Sequence, residues 1–343
     1  MNESMITKAV RRSNTTLLVV CLVGLLVVGA LAVLNLRYFY NFFFGPFDVT
    51  AEELIAVSDP KTPQEYWVRI TGDDIFDTGI QYIETSDSGR ETVEFSYLAL
   101  ALGDRLLLVK QPGEPVTDLT LRGSLEKFTS EEQVEIIDDL VSSEPMLEGV
   151  FLPYLLRTGS FRAGGTIGLV LGGLAALGCV IGLVVFMRRN ADPSTHPILK
   201  SLNRFGPIEF TTGRIDAELA GEHTTLAKHF HLTKNWLVYN PAGKFEAMRF
   251  EDLAWLYMHV TTHKSYGITV GKTFAVMAYD KFGAQAQMVV GNKEQPAQEV
   301  IQAIGQRAPW AVGGFSAELN KAWKKDRANF LAEVEKRKAQ LAG

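Results

Sequence analysis

Hydrophobic positions along the chain fall into two long uncharged runs and, between and after them, short apolar stretches separated by turn residues. Thr16–Leu36 reads TLLVVCLVGLLVVGALAVLNL, with Asn35 as its one amide. As a helix it would reach roughly 31 Å, against a hydrocarbon core of about 30 Å. Gly164–Met187 reads GGTIGLVLGGLAALGCVIGLVVFM, also without charge and long enough to span with some tilt. Core helices of soluble domains seldom carry such runs, so membrane spans are expected at 16–36 and 164–187.

The first run has the basic start of a signal peptide (Lys8, Arg11, Arg12). Its apolar stretch exceeds the ~7–15 residues usual for one, and no A-x-A-like site comes after it. The run leads instead into Arg37-Tyr38-Phe39-Tyr40-Asn41-Phe42-Phe43-Phe44, an aromatic belt suited to a membrane–water boundary. An uncleaved anchor is expected, with Arg37, Tyr38, Phe39 and Tyr40 at one interface and Arg188 and Arg189 at another. Lys8, Arg11 and Arg12 precede the first span, while Arg188, Arg189, Lys200 and Arg204 come after the second. Fewer basic residues flank the other ends (Arg37, Arg157, Arg162). The positive-inside bias therefore puts both termini in the cytoplasm and 37–163 outside the plasma (inner) membrane.

Residues 37–163 alternate between β-prone runs and turns. An amphipathic start, Val49–Val57, precedes strand candidates at Tyr66–Thr71, Gly79–Thr85, Thr92–Leu102, Arg105–Gln111 and Leu119–Phe128. Turn chemistry separates them at Thr71–Asp74, Asp87-Ser88-Gly89 and Gly103-Asp104. Ser130, with Gln133 three residues on, has the pattern of a helix N-cap and capping box. Strands with a helix after them suggest a small antiparallel OB-like barrel, with a meander packed by helices as the alternative.

After the second span, residues 188–204 have a linker composition, with Asp192-Pro193 and His196-Pro197. From 205 to 312, short β-prone runs recur: Phe210–Asp216, His223–Phe230, His231–Tyr239, Lys244–Arg249, Phe250–Val260, Tyr266–Val270, Phe274–Tyr279 and Gln285–Val290. Turns are expected at Asn240–Gly243 and Asp280–Gly283, and a helix at Gln295–Gln306, ended by Pro309. Ser316 then caps a basic amphipathic helix over 313–343, with Leu319, Trp323, Phe330 and Val334 on its apolar stripe. That helix would dock on a membrane surface, on a partner, or on its own domain. The whole is a membrane α-helical and β-rich chain: a cytoplasmic segment (1–15), two spans, an external domain and a cytoplasmic β domain with C-terminal helices.

Composition alone conceals this division. The chain has 343 residues, 47% of them hydrophobic and 10% aromatic, which excludes a disordered chain. Two cysteines, both within the spans, exclude a disulfide scaffold. The mean hydropathy of +0.06 is that of a soluble enzyme. Yet residues 48–156 carry 23 acidic and 7 basic side chains, and residues 188–343 carry 15 acidic and 21 basic. A net charge of −5 argues against nucleic-acid binding. The basic cytoplasmic half would be drawn to anionic membrane lipid.

The runs Trp236-Leu237-Val238-Tyr239 and Arg249–Tyr257, in about seven strands and one C-terminal helix over 205–307, resemble the membrane-anchored bacterial versions of the pleckstrin-homology-like domain. The layout of two spans around an external β domain is similar to uncharacterised bacterial two-pass membrane proteins. This resemblance implies binding or scaffolding and no defined chemistry. Some members of the pleckstrin-homology family bind phosphoinositides through a basic loop, where this chain offers only dispersed Arg214, Lys228 and Lys234.

Candidate chemistry is sparse. Gly164, Gly168, Gly172 and Ala176, with the pair Gly178 and Gly182, form small-residue stripes where a second copy, a partner helix or the first span can approach closely. The cluster Asp73, Asp74 and Asp77 lacks the alternation of a calcium loop. His229 and His231 share a strand face, and His259 and His263 would join them in a zinc site if their strands paired. Neither a nucleophile elbow nor a phosphate loop is present. No catalytic residue, metal or cofactor is expected. A scaffold or assembly factor is the leading reading, a transmembrane sensor of an external ligand the alternative, and a metal enzyme at the histidines the third.

Overall fold

The computed structural model describes residues 4–86, 90–115, 117–242, 244–266 and 268–342. The expected turn at Asp87-Ser88-Gly89, and Gly243 of the Asn240–Gly243 turn, lie outside the described residues. The chain divides into two units, 23–179 on one hand and 1–22 with 180–343 on the other.

The first uncharged run belongs to helix α1 (Met5–Leu34), which begins well before the expected span. Asn35 interrupts it by donating its side-chain amide to Leu31 O at 2.8 Å. Helix α2 (Leu36–Phe44) then carries the aromatic run. The second uncharged run lies in a helix over Phe161–Ala191. Both long helices are apolar enough to cross a membrane, and their apolar side chains are exposed.

The 23–179 unit continues with β1 (Phe47–Asp48), α3 (Ala51–Ile55), β2 (Trp67–Thr71), β3 (Asp74–Thr85), β4 (Glu91–Leu102), β5 (Arg105–Pro112) and β6 (Thr120–Glu126). Three short helical turns come next without a break: α4 (Ser130–Glu132), a π-helical turn (Gln133–Asp138) and α5 (Asp139–Ser143). Strand β7 (Phe151–Thr158) leads into α6 (Phe161–Ala191). All seven strands form one sheet in the order β1-β2-β6-β7-β5-β4-β3. Alternation sends Leu98, Leu100, Leu107, Val109, Tyr154 and Leu156 to one face, where Leu54 of α3 joins them. Tyr97, Leu108 and Leu155 face the other way, against Ile136 and Ile137 of the π-helical turn. Tyr154 donates to Leu54 O at 2.6 Å, and burial pushes its phenol up to about 12. The helix cap falls one residue earlier than expected. Thr129 accepts from Glu132 N at 3.1 Å and the Glu132 carboxylate accepts from Thr129 N at 2.9 Å, so Thr129 and Glu132 make the box in place of Ser130 and Gln133.

In the other unit the stretch expected to be a linker is helical. After α6 come a 3-10 turn (Pro193–Thr195), α7 (Pro197–Leu202), a second such turn (Asn203–Phe205) and α8 (Ile208–Ala220). Prolines at first-turn positions start these helices rather than break them. Phe210–Asp216, expected as a strand, lies inside α8, whose buried Thr211, Ile215 and Leu219 recur every fourth residue. The strands of this unit are β8 (Thr224–Leu226), β9 (Phe230–Leu232), β10 (Trp236–Tyr239), β11 (Glu246–Arg249), β12 (Leu253–Ser265), β13 (Ile268–Asp280) and β14 (Gln285–Gly291), with α9 (Glu294–Arg307) and β15 (Val312–Gly313) after them. Helices α10 (Ala317–Lys325) and α11 (Arg327–Ala342) end the chain.

These strands make two four-stranded sheets, ordered β11-β10-β9-β8 and β14-β13-β12-β15. The central core joins Phe230, Leu237, Met248, Leu256 and Val276 from the two sheets with Val300 and Ile304 of α9. A second core covers Trp236, Val238 and Ala247 with α7, α8 and the first turns of α1, through Ile6 and Ala9. A third covers Trp255, Tyr257 and Tyr279 with Trp323, Phe330 and Val334. The basic C-terminal segment therefore packs on its own domain, and it is two helices, broken at Asp326. Ser316 caps the first as expected, accepting from Leu319 N at 3.1 Å.

Candidate functional site

The residues expected at the membrane boundary of α2 are bonded into the 23–179 unit. The Arg37 guanidinium donates to Pro60 O at 2.9 Å and Pro63 O at 2.6 Å, and lies 4.4 Å over the Tyr66 ring. Tyr38 donates to Phe161 O at 2.8 Å, and Tyr40 reaches Glu65 at 3.2 Å. Phe39 is half-buried, stacks on Phe43 and meets Tyr38 edge-on. Asn41 is wholly buried: it donates to Arg37 O and Gln64 O and accepts from the N–H groups of Tyr66 and Trp67. Phe161 stacks on Trp67 at 4.6 Å, and Arg162 donates to Gly45 O. Leu36, Phe43 and Phe44 are the exposed apolar side chains of this helix. Arg188 is exposed and Arg189 partly buried near the end of α6.

The small-residue stripes of α6 divide by use. A Cβ on Gly165 would lie 2.6 Å from Phe42 and Tyr38, and one on Gly182 would strike Cys21 Sγ. These positions must stay bare for the neighbouring helix to approach. Gly24 of α1 does the same toward Cys179. By contrast, a Cβ at Gly164, Gly168, Gly172 or Gly178 would meet nothing within 4 Å. Ala176 is partly buried. Gly164, Gly168, Gly172 and Gly178 of the expected stripe thus stay open, while Gly182 within it and Gly165 outside it make close contacts. Both cysteines are free thiols, Cys21 buried and Cys179 partly so.

A charged cleft of about 390 Å³ opens on the α4 side of the seven-stranded sheet. Lys110 enters it from β5, on the same face as Leu108. Its ammonium donates to Glu132 at 2.7 Å and sits 4.5 Å over the Phe95 ring. Tyr97 donates to the same carboxylate oxygen at 3.3 Å. Burial opposes both charges. The contacts outweigh it, so Glu132, held by Lys110 and Thr129 N–H, titrates lower than a free carboxyl, and Lys110 higher than a free amine. Lys110 is thereby an ammonium at neutral pH, without the lone pair a Schiff-base lysine needs. Glu94, Glu131 and Glu135 line the same cleft with Tyr82 and Ile136, an arrangement that favours a cationic group on an apolar body.

The remaining candidates do not converge. Asp73, Asp74 and Asp77 accept from the N–H groups of Gly103, Ile75 and Gly79 respectively. The His223 and His231 rings meet edge-on with centroids 5.4 Å apart. His259 and His263 stand on β12, which pairs with β13 and β15 and not with the strand of His231. Among the described residues, no three of His, Cys, Asp and Glu gather to hold a metal. Two wholly buried carboxylates, Asp280 and Asp252, are paired instead with Arg204 at 2.8 Å and with Arg249 and Lys281 at 2.7 Å.

Residues 200–323 match the family model of a domain of unknown function (DUF6709). The matched segment runs from α7 to Trp323 and takes in both four-stranded sheets, α9 and most of α10. No curated protein matches the chain.

Sequence reasoning missed Lys110, Glu132, Asn41 and Asn14. Lys110 carried a signal, as a charge on the inward alternation of an apolar strand. Glu132 was hidden by placing the cap one residue late. Asn41 sat inside an aromatic run that composition alone assigns to lipid.

Proposed function

We propose that this chain is a two-pass membrane protein that holds a binding domain on each side of the plasma membrane and joins them as a scaffold, without catalysis. In this reading both termini lie in the cytoplasm and the 37–163 domain outside, the orientation that the basic flanks of the two helices favour. The observation that carries this reading is how the helix ends are built in. Ile6 and Ala9 of α1 belong to the core of the 180–343 unit, and Ser4 donates to Asp216 at 2.6 Å. At the other end, Arg37 and Asn41 of α2 are bonded into the 23–179 unit. A cleaved leader would take part of a folded core with it, which supports reading α1 as an anchor. Helices bonded into a domain at each end suit a part that joins binding surfaces.

In this reading 224–307 is a pleckstrin-homology-like domain. Seven strands in antiparallel groups of four and three, closed by α9, support it. The 23–179 sheet is taken as a curled unit, one of its cores being filled almost entirely from strands, though it is mixed rather than wholly antiparallel, with β5 parallel to β7 and β1 parallel to β2. Partners reach the chain through the open glycine face of α6 and through lipid; nucleic acid is not among them. The cleft at Lys110 favours a second reading, a sensor in which an external cationic ligand alters helix pairing. Purification of the full chain in mild detergent, with mass spectrometry of what accompanies it, tests the scaffold. A reproducible stoichiometric set of membrane proteins is expected. A chain that elutes alone at its monomer mass overturns the scaffold.

A further inference from the structure

One cleft lies where the uncharged runs meet their polar flanks. About 580 Å³ in volume, it is lined by the start of α1, the end of α6, and α7 and α8. Leu18 and Phe186, on its wall, fall within the uncharged runs. Arg11, Asn14 and Arg189, also on its wall, fall just outside them. Asn14 is only 9% exposed, and its side-chain carbonyl accepts no hydrogen bond among the described residues. A buried acceptor left without a donor costs about 1–3 kcal/mol, so such groups ordinarily meet one. Next to it Ser4 and Asp216 already satisfy each other.

The Arg189 guanidinium, one unmet acceptor and apolar walls running into the uncharged segments describe an amphiphile with an anion and a donor in its head. We propose that this cleft binds one membrane glycerophospholipid whose headgroup carries a hydroxyl or ammonium beside its phosphate, an assignment that rests on α1 and α6 being membrane spans. The phosphate pairs with Arg189, the headgroup donor meets Asn14 Oδ1, and acyl carbons lie against Leu18 and Phe186. The volume holds a headgroup and the first methylenes, and falls in the range of specific ligand pockets. Guanidinium is suited to phosphate by its fork of donors.

Full-length protein, delipidated in detergent, is titrated in native mass spectrometry with phosphatidylglycerol, phosphatidylethanolamine and phosphatidylcholine of one acyl composition. Choline has no N–H or O–H to offer Asn14. Phosphatidylglycerol and phosphatidylethanolamine are expected to bind about tenfold more tightly than phosphatidylcholine. Asn14→Leu should erase that preference while leaving phosphatidylcholine binding unchanged. Arg189→Gln should weaken all three lipids, and Lys336→Gln, on the exposed side of α11, none. Equal binding of the three lipids, or a preference that survives Asn14→Leu, overturns the proposal. So does soluble glycerol phosphate displacing the lipid at equal concentration. Membrane fractionation of cells separates the two failures. A chain that sediments with membranes yet shows no headgroup preference loses the lipid site alone. A chain that stays soluble without detergent loses both.

Discussion

Lys110 and Glu132 show how one pair ties two elements together. Glu132 uses one oxygen for the N-terminal box with Thr129 and the other for Lys110, so the helical segment is pinned to β5 through a single side chain. Both side chains are largely buried, at 17% and 8% exposure. Removing one partner of such a pair leaves the other charge unsolvated, whereas removing both leaves an apolar contact. Glu132→Leu should therefore cost about 3 kcal/mol of unfolding free energy. Lys110→Met with Glu132→Leu should come within about 1 kcal/mol of the parent, the residue of loss being the cap. Denaturant titration of the tyrosine and tryptophan signal measures the cycle; additive losses would show that the pair is not coupled. The pH dependence rests on the same contacts. The depressed carboxyl contributes stability above its ordinary value of 4.5 and loses it as pH falls through the depressed one. The raised ammonium contributes below 10.5 and loses it as pH rises through its own higher value. The pair is thus complete across the neutral range, and Glu132→Leu should flatten the acid limb of the stability profile.

At the scale of elements, helix approach is decided by which glycines are covered. Gly165 lies under Phe42 and Tyr38, while Gly168, three residues on, meets nothing. Gly165→Val should lower the melting temperature of the protein in detergent, because neither an aromatic ring nor a helix axis yields ~1 Å cheaply. Gly168→Val should leave it within the change expected of a surface substitution, about 0.5 kcal/mol. If the open face pairs with another helix, the same Gly168→Val reduces oligomer mass by light scattering; an unchanged mass removes that face from assembly. The elements themselves were legible wherever a pattern had one cause. The uncharged runs, the strands β2 to β6 and the α9 helix all stand within a few residues of where alternation and turns put them. β7 was missed because Pro153 interrupts its β-prone run and because only Gly159 and Ser160 separate it from α6. α8 was read as a strand because Thr211 and Thr212 are β-prone, although Ile215 and Leu219 keep a helical spacing. The single C-terminal helix became two because nothing in its stripe announces the break at Asp326. Asn41 and Asn14 were invisible for a different reason: the role of a buried amide is set by partners distant in sequence.

Charge at the scale of the whole molecule is segregated, but not all of it sets orientation. The acidic excess of 48–156 is large, with 23 acidic against 7 basic residues, yet acidic residues weigh little in insertion. Lysine and arginine close to the helix ends decide it, and there the bias is modest: Lys8, Arg11 and Arg12 on one end of α1 against Arg37 on the other. Arg37 is moreover engaged with Pro60 and Pro63, so its place is fixed by folding as well as by charge. Alkaline phosphatase fused after Glu148 should be active, and a fluorescent protein fused at the C-terminus should be bright, if 37–163 is outside. Replacing Lys8, Arg11 and Arg12 together by Gln removes the excess at α1 and leaves that at Arg188 and Arg189 standing. A mixed population is then expected, with part of the fluorescence lost and part of the 37–163 domain protected from external protease. Replacing three exposed acids of the 37–163 domain by Gln, at Glu52, Asp77 and Glu148, should leave the distribution untouched. A C-terminal reporter that is dark while the protein is intact would reverse the topology and, with it, the assignment of the basic half to the cytoplasmic leaflet.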